Sequence, residues 1–335
     1  MKLASKLIPL LLAAFILPSC GPRKSGKPTQ KVETMQLACD ASFENIMDQE
    51  IDVFEYSYSN SRRLASVIPY YVSAQAAFDS LLNDDNSIKT IVVGRQLNAD
   101  EKKRLQAQKR KPRQQKIAVD AIALIVNNEN PQDFISMKEL RGILSGDITK
   151  WSDMWPTKLD SIRVVFDQNG SSLFQFMRDS INGGNPIKAK VYAEKSSREV
   201  FAAVSKRKNA LGVIGVSWIS VDMDGTTMSR EEMRKRSETN DTTNLGFNPE
   251  IKVLAVSGDD SPQAFKPYQA YIFNGKYPLY RSVYMITTTV GGTLNNAFYA
   301  FVTGMQGQKV IQLTGVLPAV FQPRMVNVTV QGQEQ

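Results

Sequence analysis

The sequence predicts an α/β protein, because strand-like and helix-like segments alternate along it. The most continuous strand candidate is KIAVDAIALIVNNENP at 116–131, which is nearly all Ile, Val and Ala before its polar end. Such a run suits a strand whose two faces are both covered. Ser136 and Glu139, and again Ser196 and Glu199, have the spacing of helix capping boxes. We therefore expect mostly parallel sheets with helices on their faces.

The remaining elements follow in chain order. MQLAC at 35–39 is the first predicted strand, and Asp40-Ala41-Ser42 opens a helix with an apolar side. LASVIPYYV at 64–72 is the next strand, and Ser73 caps the helix after it. Two further buried strands are predicted at 88–94 and 210–219.

A polar turn joins a strand to a helix in RVVFDQNGSSLFQFMRDSI at 163–181. Turn-forming residues occupy 167–170, and apolar residues recur at helical spacing after Ser171 and Ser172. A helix N-terminus has unpaired N–H groups and a partial positive charge, so this corner is a candidate anion site.

The composition limits the possible chemistry. The 335 residues include 41 Lys and Arg, 33 Asp and Glu, two cysteines and no histidine, for a formal charge of +8. The lack of histidine excludes Ser-His and Cys-His arrangements and His-ligated zinc, and two cysteines cannot build a structural zinc site. We therefore expect no enzyme, no cofactor and no metal.

The N-terminus has the pattern of an export signal. Residues 1–19 combine Lys2 and Lys6 with an apolar run too short to span a bilayer. LPSCG resembles a bacterial lipobox, which predicts lipidation at Cys20; an ordinary secretory signal with a chance cysteine is the alternative. Residues 20–33 are predicted to be a flexible tether. We expect a membrane-anchored lipoprotein of the periplasm or cell envelope.

Two polar stretches look irregular. EKKRLQAQKRKPRQQK at 101–116 has eight basic residues, which suit either an anionic partner or a solvated helix face with an exposed connector. Because no aromatic residue interleaves the run, we do not expect nucleic acid as a partner. The stretch 222–244 is predicted to be a surface loop, and Cys39 a buried inert thiol.

Five segments follow one another along the chain: AVDAIALIVNNENP, MKELRGILSGDITKWSDM, ALGVIGVSWI, YPLYRSVYMI and FVTGMQGQKVIQLTGVLP. The second has Leu140, Ile143, Gly146 and Trp151 in a Leu-x-x-Ile-hydrophobic-x-Gly-x-x-x-x-Trp pattern. Together they resemble the PstS-like phosphate-binding lipoproteins of phosphate ABC transporters, in the periplasmic-binding-protein superfamily. The resemblance spans roughly Gln36 to Pro318.

The resemblance implies a two-lobed periplasmic-binding-protein fold of type II, with a ligand cleft between the lobes. We expect lobe one to comprise 34–117 and 266–335, and lobe two 118–265. It also implies a monomer that captures phosphate, or a related oxyanion, and delivers it to an ABC transporter permease.

The resemblance places ligand-binding residues at three helix starts. Ser42 and the Phe43 backbone N–H form the first, Ser73 the second, and Gly170, Ser171 and Ser172 the third. Each hydroxyl could instead be a simple N-cap, and both interpretations stay open.

The third start departs from the family pattern, which has an arginine four residues before Ser-Gly-Thr. This chain has Asp167 there, and a carboxylate would repel an anion. Thr90 is expected where the family often has an Asp near the end of the third strand. Arg95 could supply the missing positive charge or pair with a local carboxylate. Asp120 and Arg281 are family-typical residues, expected mainly in framework roles.

Three functions follow from these observations. The first is capture and delivery of phosphate. The second is an enzyme such as a phosphoester hydrolase, which the composition disfavours. The third is a related lipoprotein with an altered ligand, or with a signalling or partner-binding role and no phosphate affinity.

Overall fold

A computed structural model describes residues 30–85, 87–167, 171–220 and 250–320. The predicted signal peptide at 1–19, the lipidation site Cys20, Gly170 and the predicted surface loop at 222–244 lie outside these residues. No helix within the described ranges is both long and apolar enough to cross a membrane.

Strands and helices alternate as predicted. The strands are β1 Lys31–Asp40, β2 Arg63–Val72, β3 Thr90–Val93, β4 Arg113–Asn127, β5 Phe134–Ser136, β6 Arg163–Phe166, β7 Val191–Ala193, β8 Ala210–Gly215, β9 Ile251–Val253, β10 Ala255–Ser257, β11 Ala264–Phe265, β12 Tyr280–Thr287 and β13 Leu317–Pro318. The α-helices are α1 Glu44–Tyr58, α2 Ala74–Leu82, α3 Ala99–Ala107, α4 Met137–Ser145, α5 Ser172–Phe176, α6 Ser197–Lys206, α7 Ser217–Ser220, α8 Gln269–Phe273, α9 Leu294–Thr303 and α10 Met305–Leu313. A 3₁₀ turn at Ala41–Phe43 precedes α1, and a π-helical turn at Met177–Ile181 continues α5.

Local start signals account for several of these helices. In α4, the Ser136 side chain accepts from the Glu139 N–H while the Glu139 carboxylate accepts from the Ser136 N–H, which is the predicted capping box. The Ser196 side chain caps α6 by accepting from the Glu199 N–H, but the Glu199 carboxylate accepts from the Lys195 N–H, so only half of the second predicted capping box forms. These caps are the reason the helix starts could be located from the sequence.

The strands form one large sheet in the order β2-β1-β3-β12-β4-β8-β6-β7, with β13 and β9 also paired to β4, and a small sheet β11-β10-β5. The long strand β4 joins two halves of the large sheet. Its residues 113–121 pair with β12, whereas 122–126 pair with β8. We call the part containing β1, β2, β3 and β12 the first lobe, and the part containing β6, β7 and β8 the second lobe.

The expectation of mostly parallel sheets needs correction. Parallel pairing occurs among β1, β2 and β3, among β6, β7 and β8, and between β5 and β10. The central strands β4 and β12 are antiparallel to every strand with which they pair. β4 and β12 pair mainly with strands that are distant in the sequence. Their direction is therefore not fixed by a β-α-β crossover to an adjacent strand.

Three predicted segments are also assigned differently. Residues 31–33 of the predicted tether belong to β1, where Lys31 pairs with Arg63. The predicted strand at 210–219 ends at Gly215, and α7 begins at Ser217. The basic stretch 101–116 is not irregular, since it contains most of α3 and the first residues of β4.

Glu50 is a buried acid inside the first lobe. The side chain is fully buried in α1. Helix α10 lies so close that a Cβ on Gly307 would be 2.9 Å from Glu50 Oε2. Burial raises the pKa of the Glu50 carboxyl well above its usual value near 4.5, and the Ile311 N–H only partly opposes this effect. Glu50 therefore stays protonated in the folded protein at pH values where an unfolded chain would lose the proton.

We expect Glu50→Gln to stabilise the protein increasingly as pH rises above about 4.5. In that range the unfolded wild-type chain binds fewer protons than the folded one, so wild-type stability falls with pH until the raised pKa is passed. The difference should grow by up to about 1.4 kcal/mol per pH unit. Urea unfolding across this range measures it, with the exposed Glu129→Gln as control. Parallel stability curves for wild type and Glu50→Gln would contradict the assignment.

Candidate functional site

The candidate site begins where β1 ends. Asp40 is the last residue of β1, and its Oδ1 accepts from the Ser42 N–H at 3.1 Å and from the Ser42 hydroxyl at 2.9 Å. Asp40, Ser42 and Phe43 are all buried. The turn is therefore held by an Asp cap, which fixes where the Ser42 hydroxyl lies.

Arg281 of β12 lies at the centre of this site. Its Nε and Nη2 donate to Asp120 Oδ2 at 3.2 and 3.1 Å, and Nη2 also donates to Ser42 Oγ at 2.9 Å. The register of the sheet explains the pairing, because Arg281 lies opposite Asp120 across β12 and β4. The Arg281 guanidinium also lies over the Phe43 ring, 4.4 Å from its centroid. The cation is thus held on one face by an aromatic ring and at one edge by a carboxylate.

Ser172 contributes a hydroxyl from the second lobe. Arg281 Nη1 donates to Ser172 Oγ at 2.8 Å, and Ser172 Oγ lies 2.9 Å from Ser42 Oγ. Ser42 has one proton, and Asp40 can only accept as a carboxylate, so Ser42 donates to Asp40 and Ser172 donates to Ser42. This assignment satisfies both hydroxyls and links the two lobes through residues 42, 172 and 281.

A second contact between the lobes lies near this cluster in sequence. Asn45 Nδ2 in α1 donates to the Ser217 carbonyl oxygen at the start of α7, at 2.7 Å. The lobes are therefore joined by direct hydrogen bonds at both Ser42 and Asn45.

Carboxyl groups outnumber the single guanidinium around Arg281. Asp120 is fully buried, and burial raises the pKa of its carboxyl, while the adjacent Arg281 charge opposes that rise. Asp40 is also buried and acts electrostatically on Asp120, so two carboxyl groups face one guanidinium. Gly215 leaves room for Asp120, since a Cβ there would lie 3.1 Å from Asp120 Oδ2. An anion entering the site would compete with Asp120 for Arg281.

The predicted site residues divide into those near Arg281 and those elsewhere. Ser42, Phe43 and Ser172 come together as described. Ser171 caps α5, with its hydroxyl oxygen accepting from the Phe174 N–H at 3.2 Å. Ser73 is exposed and caps α2 through the Ala76 N–H. Ligand-binding roles for Ser42, Phe43, Ser73, Ser171 and Ser172 stay predictions, as does any role of Gly170.

Arg95 has local partners. It donates to both carboxylate oxygens of Glu101 at 2.8 and 2.9 Å, and it lies over the Phe78 ring. Of the two uses considered for this charge, the described contacts correspond to pairing with a local carboxylate. A role for Arg95 in ligand binding stays a prediction.

Thr90 is the first residue of β3, so its expected position near the end of that strand is wrong. Its hydroxyl contacts Thr287 and Asn295.

The remaining chemistry of the described residues is limited. Cys39 is fully buried, as predicted, and burial raises the pKa of its thiol well above the usual value. Within the described part of the chain, no three His, Cys, Asp or Glu residues form a group suited to a metal ion.

The position of Arg281 in the site was not predicted from the sequence. The available signal was a pair of lone charges, Asp120 and Arg281, each inside a strand with mostly apolar neighbours. Charged residues are rarely buried without a partner, so two such strands could have been expected to pair.

The fold and site define a class of protein: a two-lobed α/β protein with a polar site where helix starts from both lobes meet. The chain belongs to the PBP superfamily, since the family model described as a PBP superfamily domain matches residues 25–305.

Individual relatives are more distant. A phosphate-binding protein PstS from Staphylococcus epidermidis is 20% identical over 282 residues, covering 82% of this chain and 76% of the relative. One from Staphylococcus aureus is 28% identical over 136 residues, covering 39% of this chain and 40% of the relative. The structure of an ABC-type phosphate transport receptor from Vibrio cholerae superposes with a TM-score of 0.56 at 17% identity, covering 85% of this chain and 99% of that one.

Proposed function

We propose that this protein is an extracytoplasmic solute-binding lipoprotein that captures inorganic phosphate, or a similar small oxyanion, between its lobes and delivers it to an ABC permease. The main support is the convergence of Ser42, Ser172 and Arg281 from three separate segments. Neutral hydroxyls and a guanidinium are donors suited to a tetrahedral oxyanion. The names of the Staphylococcus relatives favour phosphate as the ligand.

Capture would require the lobes to separate and close again around the ligand. Ser42 Oγ and Ser172 Oγ are 2.9 Å apart, so no oxygen fits between them. An oxyanion accepting from both hydroxyls would hold them about 4–5 Å apart. Binding would then replace the direct Ser42–Ser172 bond, would transfer the hydrogen bond donated by Ser42 from Asp40 to the ligand, and would draw Arg281 partly away from Asp120.

The proposal includes export and anchoring. The pattern of residues 1–19 supports cleavage before Cys20, and lipidation there would keep the protein at the membrane surface of the cell envelope. We also propose lobe boundaries near 117 and 266. Strand β4 changes its pairing partner from β12 to β8 between Ala121 and Ile122, slightly after the proposed boundary at 117.

A second candidate is a related lipoprotein with a different ligand or with no phosphate affinity. It is favoured by the Asp120–Arg281 ion pair and by Asp167, which stands where the family has an arginine. Under this interpretation Arg281 serves mainly to hold the lobes together.

Thermal unfolding of protein stripped of ligand tests the two candidates. Phosphate at about a hundred times its dissociation constant should add roughly 2.7 kcal/mol of stability, whereas sulfate and chloride at the same concentration should add much less. A shift with another oxyanion alone, or with none, would reject phosphate capture and support the second candidate. Release of phosphate from a chromogenic ester would instead point to an enzyme.

A further inference from the structure

A basic surface lies at the edge of the first lobe opposite the candidate site. Strands β1, β2 and β3 are parallel and β12 is antiparallel to β3 and β4, so β1 to β4 all begin at this edge. Ser42, in contrast, follows the end of β1. We call Lys89, Lys109, Lys111 and Val290 the far-edge surface.

Hydrogen bonds from two arginines hold the segments of the far-edge surface together. Arg110 donates to the Leu81 carbonyl oxygen at 2.7 Å and to Thr288 Oγ1 at 3.1 Å. Arg113 donates to the Thr289 carbonyl oxygen at 3.0 Å. The turn that contains Lys109 and Lys111 is therefore bound to the loop after β12. Arg110 and Arg113 have structural partners, so they differ in role from the lysines beside them.

The lysines of this turn remain exposed to solvent. Lys109 and Lys111 are both exposed, and Lys109 has a left-handed backbone with φ of 58°. The carboxylates of Asp84 and Asp85 act electrostatically on Arg110. Against these two carboxylates the turn carries three cations, Lys109, Arg110 and Lys111, so the net charge of the group is +1.

An apolar residue projects beside the lysines. Val290 is 71% exposed, and it is followed by Gly291 and Gly292, which are also exposed. The loop is anchored at its base, where the Thr288 N–H donates to the Lys89 carbonyl oxygen at 2.9 Å. An exposed valine on an anchored loop, next to basic residues, is a pattern suited to a membrane interface.

The chain also enters the fold from this side. β1 starts at Lys31, whose N–H donates to the Arg62 carbonyl oxygen at 2.9 Å. Gln30 therefore lies on the side of the first lobe where the far-edge surface is found, and β1 extends six residues beyond the start of β3 in that direction.

From this arrangement, we propose that the far-edge surface docks on an anionic phospholipid bilayer. Lys89, Lys109 and Lys111 would lie among the head groups, and Val290 would enter the interface. The charge is complementary to such a bilayer, and the entry point of the chain would place the lobe beside it. Docking in this way would turn the candidate site away from the membrane that holds the lipid anchor.

Sedimentation with vesicles tests the proposal on the chain from Gly21 onward, which keeps every described residue but lacks the lipid. Binding should occur with vesicles of phosphatidylglycerol and phosphatidylcholine, and not with phosphatidylcholine alone. Lys109→Ala combined with Lys111→Ala should lower the partition coefficient about thirtyfold, because each lysine removed should lower it about fivefold. Val290→Asp should lower it about tenfold. Arg110 is left intact because its loss would disrupt the turn.

The matched control is Lys158→Ala with Lys190→Ala, two exposed lysines outside this edge. The control should bind vesicles as wild type does, and all variants should keep their response to phosphate, so failure of docking is distinct from failure of ligand capture. Equal binding to neutral vesicles, or an equal loss in the control, would overturn the proposal. Binding to duplex DNA that is insensitive to Val290→Asp, with no binding to vesicles, would also overturn it.

Discussion

Replacing Arg281 with alanine is expected to lower the free energy of unfolding by about 3–5 kcal/mol and to abolish oxyanion binding. The substitution leaves Asp120 fully buried without its cation, and it removes donors from Ser42 and Ser172. It also removes the cation–π contact with Phe43. Urea unfolding measures the loss of stability, and titration with phosphate measures the loss of binding.

Two further variants distinguish the loss of the buried Asp120–Arg281 ion pair from the general effect of removing an arginine. Arg141→Ala breaks an exposed ion pair with Asp259 and should cost less than about 1 kcal/mol. Asp120→Asn combined with Arg281→Met removes both charges, so it should be more stable than Arg281→Ala alone. If Arg281→Ala cost no more than Arg141→Ala, a buried ion pair could not be stabilising the site.

Ser172→Ala is expected to weaken phosphate binding by about 10- to 100-fold, corresponding to about 1.5–3 kcal/mol for a hydrogen bond to a charged group. Its effect on stability should stay near 1 kcal/mol, because Ser171 and not Ser172 caps α5. The substitution also removes the Ser42–Ser172 bond that joins the lobes. Calorimetric titration of stripped protein measures the change in affinity.

Ser136→Ala is the matched control for this substitution. It removes a serine that caps α4 in the second lobe, so it should cost about 1 kcal/mol of stability and leave phosphate affinity unchanged. An unchanged affinity in Ser172→Ala would exclude Ser172 from the ligand site. It would leave the hydroxyl as a link between the lobes and favour the second candidate function.

The pairing of Arg281 with a carboxylate is expected to lower the affinity of the site for an oxyanion. Arg281 already donates two hydrogen bonds to Asp120, and Asp167 stands where the family pattern has an arginine. An oxyanion would therefore gain less from this guanidinium than from an unpaired one. We expect neutral donors to carry a larger share of binding here than in a site with a free arginine.

Local elements of this protein could be predicted from the sequence. The capping box at Ser136 and Glu139, and the apolar run of β4, are signals contained within a few consecutive residues. Ser42 and Ser172 were candidates through the family resemblance, which points to hydroxyls at helix starts, and such a start is itself a local pattern. These features depend on hydrogen bonds and burial that each segment largely determines by itself.

The tertiary structure decided which of these groups meet. Arg281 is 239 residues from Ser42 and 109 from Ser172 along the chain, and it reaches them because β12 pairs with β4 in one particular register. The antiparallel direction of those two strands was decided in the same way. A shift of one residue in register turns a side chain to the other face of a sheet, so contacts between distant segments are not contained in any local pattern.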